Sequence, residues 1–224
     1  MEKTLLLLPG STDPNHKDSK HDYSKRYRLV SDEALKRGYK SIEIISWIGQ
    51  NSGQNGIMNL DTASNYLKIK MIDLENGGTP YDIFAFSWGA NVCLKTLFDI
   101  EEPNYLQRTV LWGIDEYWRM VKYFDPYTDT CETIIGLKKK GASIKSDFLT
   151  YEFSNEFLLC NYRHKNKVLV AFGENDDKSS PAFADYLKSF VTKSNISYHI
   201  VAEVGHVVSE YNEEYLNCLF GDKC

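Results

Sequence analysis

Six short stretches of the chain are predominantly apolar: Lys3–Leu8, Ser41–Trp47, Tyr81–Phe86, Arg108–Trp112, Lys167–Phe172 and Ser197–Ala202. Runs of this length without clean alternation predict strands buried on both faces, as in a parallel sheet covered by helices on each side. Between them the spacing becomes helical. Residues 22–37 form one such segment, closed by Gly38, which suits the left-handed position after a helix. Over 59–75, Leu60, Ala63, Leu67, Met71 and Leu74 share one stripe, ahead of Gly77 and Gly78. Beyond Ser87, the residues Ala90, Cys93, Leu94, Leu97 and Phe98 recur at the spacing of a buried helix face. Ser180-Pro181 reads as an N-cap followed by proline in the first turn, opening a helix with Phe183, Tyr186, Leu187 and Phe190 inward. A last helix carries Val208, Tyr211, Tyr215 and Leu219. Alternation of this kind predicts an α/β fold: a doubly wound, mostly parallel sheet of about six strands with helices on both faces.

The rhythm breaks once. Residues 113–165 contain no clear strand and are rich in aromatics, among them Trp118, Tyr123, Phe124, Tyr127 and Phe157. The expectation is a helical lid or cap inserted within a single domain spanning 1–224, because long insertions in compact domains usually serve function. A pair of packing helices is the alternative.

Bulk composition narrows the function classes. The chain of 224 residues is 42% hydrophobic and 25% charged, enough for a sizeable core. A net charge of -5 argues against a nucleic-acid-binding face, which is normally basic. Five cysteines at irregular spacing, with no CxxC pair, indicate neither a disulfide framework nor a metal site. Reduced thiols and a cytoplasmic location follow as expectations. The run Leu5–Leu8 is too short for a signal peptide or a membrane span. The basic stretch from Asn15 to Arg28 reads either as a solvated helix face or as a rim for an anionic substrate such as an acyl thioester.

Candidate chemistry concentrates at strand ends. A buried strand runs into Ser87 and a helix leaves it at once, in the pattern Ala85-x-Ser87-x-Gly89. Small residues two before and two after the serine are what a tight strand-to-helix turn needs, where the two backbones approach closely. Serine is a poor nucleophile without a base that a third group orients. The strand ending at Gly173 delivers Asp176, and the next is followed by Gly205-His206, so acid, base and serine all fall on one sheet edge. Asp115 and Asp177 are alternative acids. His16, His21, His164 and His199 lack a strand-end position preceded by glycine and are expected on the surface or in loops. Cys93 is expected in the core.

With these residues the chain resembles the α/β-hydrolase superfamily over nearly its whole length. Ala85-x-Ser87-x-Gly89 is similar to the nucleophile elbow, Gly173–Asp176 to the acid loop, and Gly205-His206 to the histidine loop. Pro9-Gly10-Ser11 stands where the family has His-Gly-x. The departures are Ala85 for glycine and Pro9 for histidine. The resemblance implies an α/β-hydrolase fold lacking the family's first two strands, and an oxyanion hole made by the backbone N–H groups of Ser11 and Trp88. It implies Ser87, Asp176 and His206 as a triad that hydrolyses a small carboxylic ester or thioester through an acyl-enzyme, without cofactor or metal. The same groups could serve amide or C–C hydrolysis or acyl transfer. A non-catalytic ligand-binding protein on this fold is the alternative of a different class.

Overall fold

The computed structural model describes residues 3–10, 27–45, 60–114, 124–125, 130–131, 155–176, 181–208 and 210–221. The strands are β1 (Lys3–Leu8), β2 (Tyr39–Ile44), β3 (Tyr81–Phe86), β4 (Leu106–Trp112), β7 (Lys167–Gly173) and β8 (Ile196–Val201), with β5 (Phe124–Asp125) and β6 (Thr130–Cys131) forming a two-residue antiparallel ladder. The six longer strands form one sheet in the order β2-β1-β3-β4-β7-β8, and every pairing is parallel. From β1 the chain first winds outward to β2, then returns to the other side of β1 as β3. That reversal opens a crevice at the carboxyl ends of β1 and β3, where open parallel sheets bind ligands.

Helices α1 (Arg28–Lys36), α2 (Leu60–Asn76), α3 (Trp88–Asp99), α4 (Asn155–Cys160), α5 (Ala182–Phe190) and α6 (Glu213–Phe220) cover both faces. Strand side chains alternate between two cores. Leu6, Leu8, Ile83 and Ala85 pack with α2, α3, α4 and α5, while Leu5, Leu7, Phe84 and Phe86 pack with α1 and α6. The central strand β3 is buried throughout, which makes the doubly wound arrangement expected from sequence the observed one. Its one charged residue, Asp82, is paired with Lys3 Nζ at 2.7 Å and accepts from the Tyr39 hydroxyl. A buried carboxylate is tolerated when compensated in this way.

The register brings the functional edge level. Leu8 lies opposite Ala85, Phe86 opposite Trp112, and Trp112 opposite Ala171. The residues just beyond β1, β3, β4 and β7 therefore leave the sheet side by side. Of the expected insertion, Gly113 and Ile114 continue directly from β4. Leu158, Leu159 and Tyr162, in and just after α4, are buried in the core beside α3. Asn155 on α4 donates from Nδ2 to Asn91 Oδ1 on α3 at 2.8 Å. Apart from the β5–β6 ladder, residues 115–154 lie outside the described residues.

Candidate active site

Ser87 occupies the junction of β3 and α3 with φ 49° and ψ −117°. Among described non-glycine residues only Glu203 shares a positive φ. Such a conformation costs an L-residue about 1–3 kcal/mol and persists only where its surroundings impose it. Here the imposition is visible. The Ser87 amide donates to Trp112 O at 2.8 Å, and Ser87 O accepts from the Ala90 amide at 2.9 Å. A methyl group on Gly89 would stand 2.3 Å from Leu8 O and 2.6 Å from Pro9 O, so nothing larger than glycine fits. Ala85, fully buried, takes the other small position without conflict. A methyl on Gly10 would lie 3.2 Å from Ser87 Cβ and 3.7 Å from its Oγ, which places the loop leaving β1 directly beside Ser87.

The loops that follow β7 and β8 are tied together by main-chain bonds. Glu174 N donates to Val201 O and Asn175 N to Val204 O, each at 2.8 Å. Glu203 N donates to Glu174 Oε2 at 3.0 Å. The result brings His206 Nδ1 to 2.9 and 3.0 Å from the two carboxylate oxygens of Asp176. The Asp176 side chain is fully buried and that of His206 is 12% exposed. An Nδ1–H donor to the carboxylate leaves Nε2 as the basic nitrogen. Ser87 and His206 line one cavity of about 30 Å³ together with Gly10, Tyr27, Phe86 and Trp112. Tyr215 also lines it; burial holds its phenol well above the ordinary range, hence neutral. Trp88 opens α3, so its amide belongs to the first turn, where helix N–H groups favour negative charge.

Three residues of this site carried no signal in the sequence pattern. Trp112 donates its indole N–H to His206 O at 3.0 Å, fixing the histidine loop from β4. Gly113, at φ +60°, lies against the imidazole: a methyl there would be 2.9 Å from His206 Cε1 and Nδ1 and 3.2 Å from Asp176 Oδ2. Tyr27 bonds the Gly10 amide through its hydroxyl. Replacing Gly113 with alanine is expected to cost about 10²-fold in kcat/KM, because a displacement near 1 Å of a catalytic group has that effect. A kcat/KM within about threefold of wild type would show that the imidazole tolerates the displacement.

Of the other expectations, Ser11, Asp115, Asp177, His16 and His21 lie outside the described residues, as does the basic stretch except Tyr27 and Arg28. His164 lies in the loop between α4 and β7, one of the two places expected, but is buried there. It is 4% exposed, its Nε2 bonded to Leu97 O and its Nδ1 3.6 Å from Glu102. The segment carrying it is packed against the end of α3, where the ring is buried with Nε2 hydrogen-bonded and Nδ1 without a hydrogen bond, the Glu102 carboxylate standing only at ion-pair distance. His199 lies on β8, 3.9 Å from Glu214. Cys93 is buried in the core, where burial pushes its thiol up and leaves it unreactive. Among the described residues, no helix is long and apolar enough to cross a membrane.

No protein-family model matches the sequence, and no curated protein matches it. Solved structures do match. An alpha/beta hydrolase enzyme from the metagenome of sediments of the Mar Chica lagoon, Morocco, superposes with a TM-score of 0.61 at 16% identity, covering 98% of this chain and 89% of that one. The chain has the α/β-hydrolase fold. A soluble variant of monoglyceride lipase from Saccharomyces cerevisiae gives a TM-score of 0.61 at 13% identity, over 99% of this chain and 84% of that one. The esterase domain of a Rhodothermus marinus protein gives 0.59 at 12%, over 97% and 83%. On this α/β-hydrolase fold the serine follows β3, the aspartate β7 and the histidine β8.

Proposed function

We propose that the chain is a serine hydrolase cleaving small carboxylic esters or thioesters. Ser87 attacks the acyl carbon while His206 Nε2 takes its proton, then passes it to the departing alcohol or thiol. Asp176 holds the imidazole in the required tautomer and offsets the positive charge that forms on it. The amides of Trp88 and Ser11 receive the oxyanion. Water, activated by the same imidazole, then releases the acid and restores the serine. The observation that carries this reading is the pairing of a strained Ser87 with a carboxylate-oriented His206 on one small cavity.

A fluorophosphonate probe tests the proposal directly. Labelling is expected on Ser87 in the wild-type chain, absent in Ser87→Ala and greatly slowed in His206→Ala. Folded protein that stays unlabelled would overturn the hydrolase reading in favour of ligand binding without turnover.

A further inference from the structure

The opposite edge of the sheet holds a cavity that the proposed chemistry does not use. It lies at the amino end of β3, about 20 Å along the strand from Ser87. Its volume of about 490 Å³ is that of a small-molecule site. The floor is apolar: Met71 of α2, Ile100 and Pro103 after α3, and Tyr81 at the start of β3. The rim is acidic. Among the described residues, Glu75, Asp99, Glu101 and Glu102 line it against one basic side chain, Lys68.

Two helix ends add to this charge. α2 closes at Asn76 and α3 at Asp99, and neither has a basic residue in its last turn. The carbonyl ends of helices carry partial negative charge and favour cations. Arg163 meets part of that demand, donating to Phe98 O and Ile100 O at 3.3 and 3.2 Å. Three of the carboxylates also have partners. Glu75 accepts the amides of Asn104 and Tyr105, Asp99 pairs with Lys95, and Glu102 accepts the Lys165 amide. Glu101 takes part in none of these contacts.

The group that points to a ligand is Tyr81. It is fully buried, it lines the cavity, and its hydroxyl has no hydrogen bond. Burial first, and the Glu75 carboxylate second, push the phenol above its ordinary range, so it stays neutral. A buried hydroxyl left unmet is destabilising, and phenylalanine would fill the same space without it. Among the described residues, no three His, Cys, Asp or Glu side chains converge as metal ligands do. The positive charge that fits here therefore belongs to an organic body.

We propose that this cavity is a second binding site, taking a small primary amine with a short apolar stem. The three ammonium N–H donors match the phenol oxygen and the carboxylates, and the stem matches the floor of Met71, Ile100 and Pro103. The proposal is independent of the hydrolase reading.

Calorimetric titration of the full chain with pentan-1-amine, beside pentan-1-ol and ammonium chloride, tests it. The amine is expected to bind about 10- to 100-fold more tightly than either control, since one lacks the charge and the other the stem. No binding of the amine would overturn the proposal, as would equal binding of the alcohol or of ammonium. Tyr81→Phe should weaken amine binding about three- to tenfold, the size of one hydrogen bond. It should not lower the thermal midpoint of the free protein, because the hydroxyl has no bond to lose. Ile72→Trp, at an exposed position on the cavity wall, should block the amine outright. Ser87→Ala should bind it as wild type does. Unchanged affinity in Tyr81→Phe or Ile72→Trp would overturn the site, and lost affinity in Ser87→Ala would move the amine to the other edge of the sheet.

Discussion

Replacing Asp176 with asparagine is expected to lower kcat about 10⁴-fold while leaving the fold intact, the size of effect found where the same exchange is made in a Ser-His-Asp triad. Both carboxylate oxygens lie within 3.0 Å of His206 Nδ1, and the side chain is fully buried, so no water replaces what the carboxylate does. Asparagine keeps the shape but changes the chemistry. Its amide nitrogen donates to Nδ1, which drives the ring proton onto Nε2 and removes the base that Ser87 needs. Its neutral oxygen also gives little support to an imidazolium. Steady-state hydrolysis of p-nitrophenyl acetate checks this, with Asp115→Asn and Asp177→Asn expected to change kcat far less. A large loss confined to Asp115→Asn would place the orienting acid after β4.

What the sequence revealed and what it hid follow from how far each signal travels along the chain. Strands β1 and β3 have the boundaries their apolar runs predict, because strands buried on both faces are recorded in consecutive residues. Strand β2, an edge strand, starts two residues and ends three residues earlier than expected, at Tyr39–Ile44. Its residues are half-buried or exposed, and its placement is set by pairing with β1 rather than by its own pattern. Helix α6 starts at Glu213, beyond Val208 and Tyr211, because Asn212 accepts from the Tyr215 amide and sets the start. Tyr186, expected inward, is 44% exposed and stacks on Phe183 at the rim of α5. The elbow spacing was legible because steric demand there is local: Gly89 is two residues from the serine it serves. The supports of His206 were not. Trp112 reaches it across 94 positions of sequence, and no periodicity encodes a contact of that span.

Ser87→Gly is expected to abolish turnover, by about 10⁶-fold in kcat, and yet to make the protein more stable. The loss needs only the missing Oγ. The gain comes from the backbone, since φ 49° with ψ −117° is strained for any residue with a Cβ and open to glycine. Relief of that strain contributes about 1–3 kcal/mol. Against it stands the extra freedom that glycine gives the unfolded chain, about 0.5–1 kcal/mol. The α3 helix begins one residue later, so no helical position is weakened, and the Ser87 hydroxyl makes no capping bond that would be lost. The difference leaves about 1 kcal/mol in favour of the variant, which for a chain of this size corresponds to a thermal midpoint higher by about 2–4 °C. Ser87→Ala removes the same oxygen but keeps the Cβ and the strain, so its midpoint should stay near wild type. Thermal unfolding of the three proteins separates the two effects. A Ser87→Gly midpoint below that of Ser87→Ala would mean that the turn is not strained, and that the serine conformation has no stability cost for function to justify.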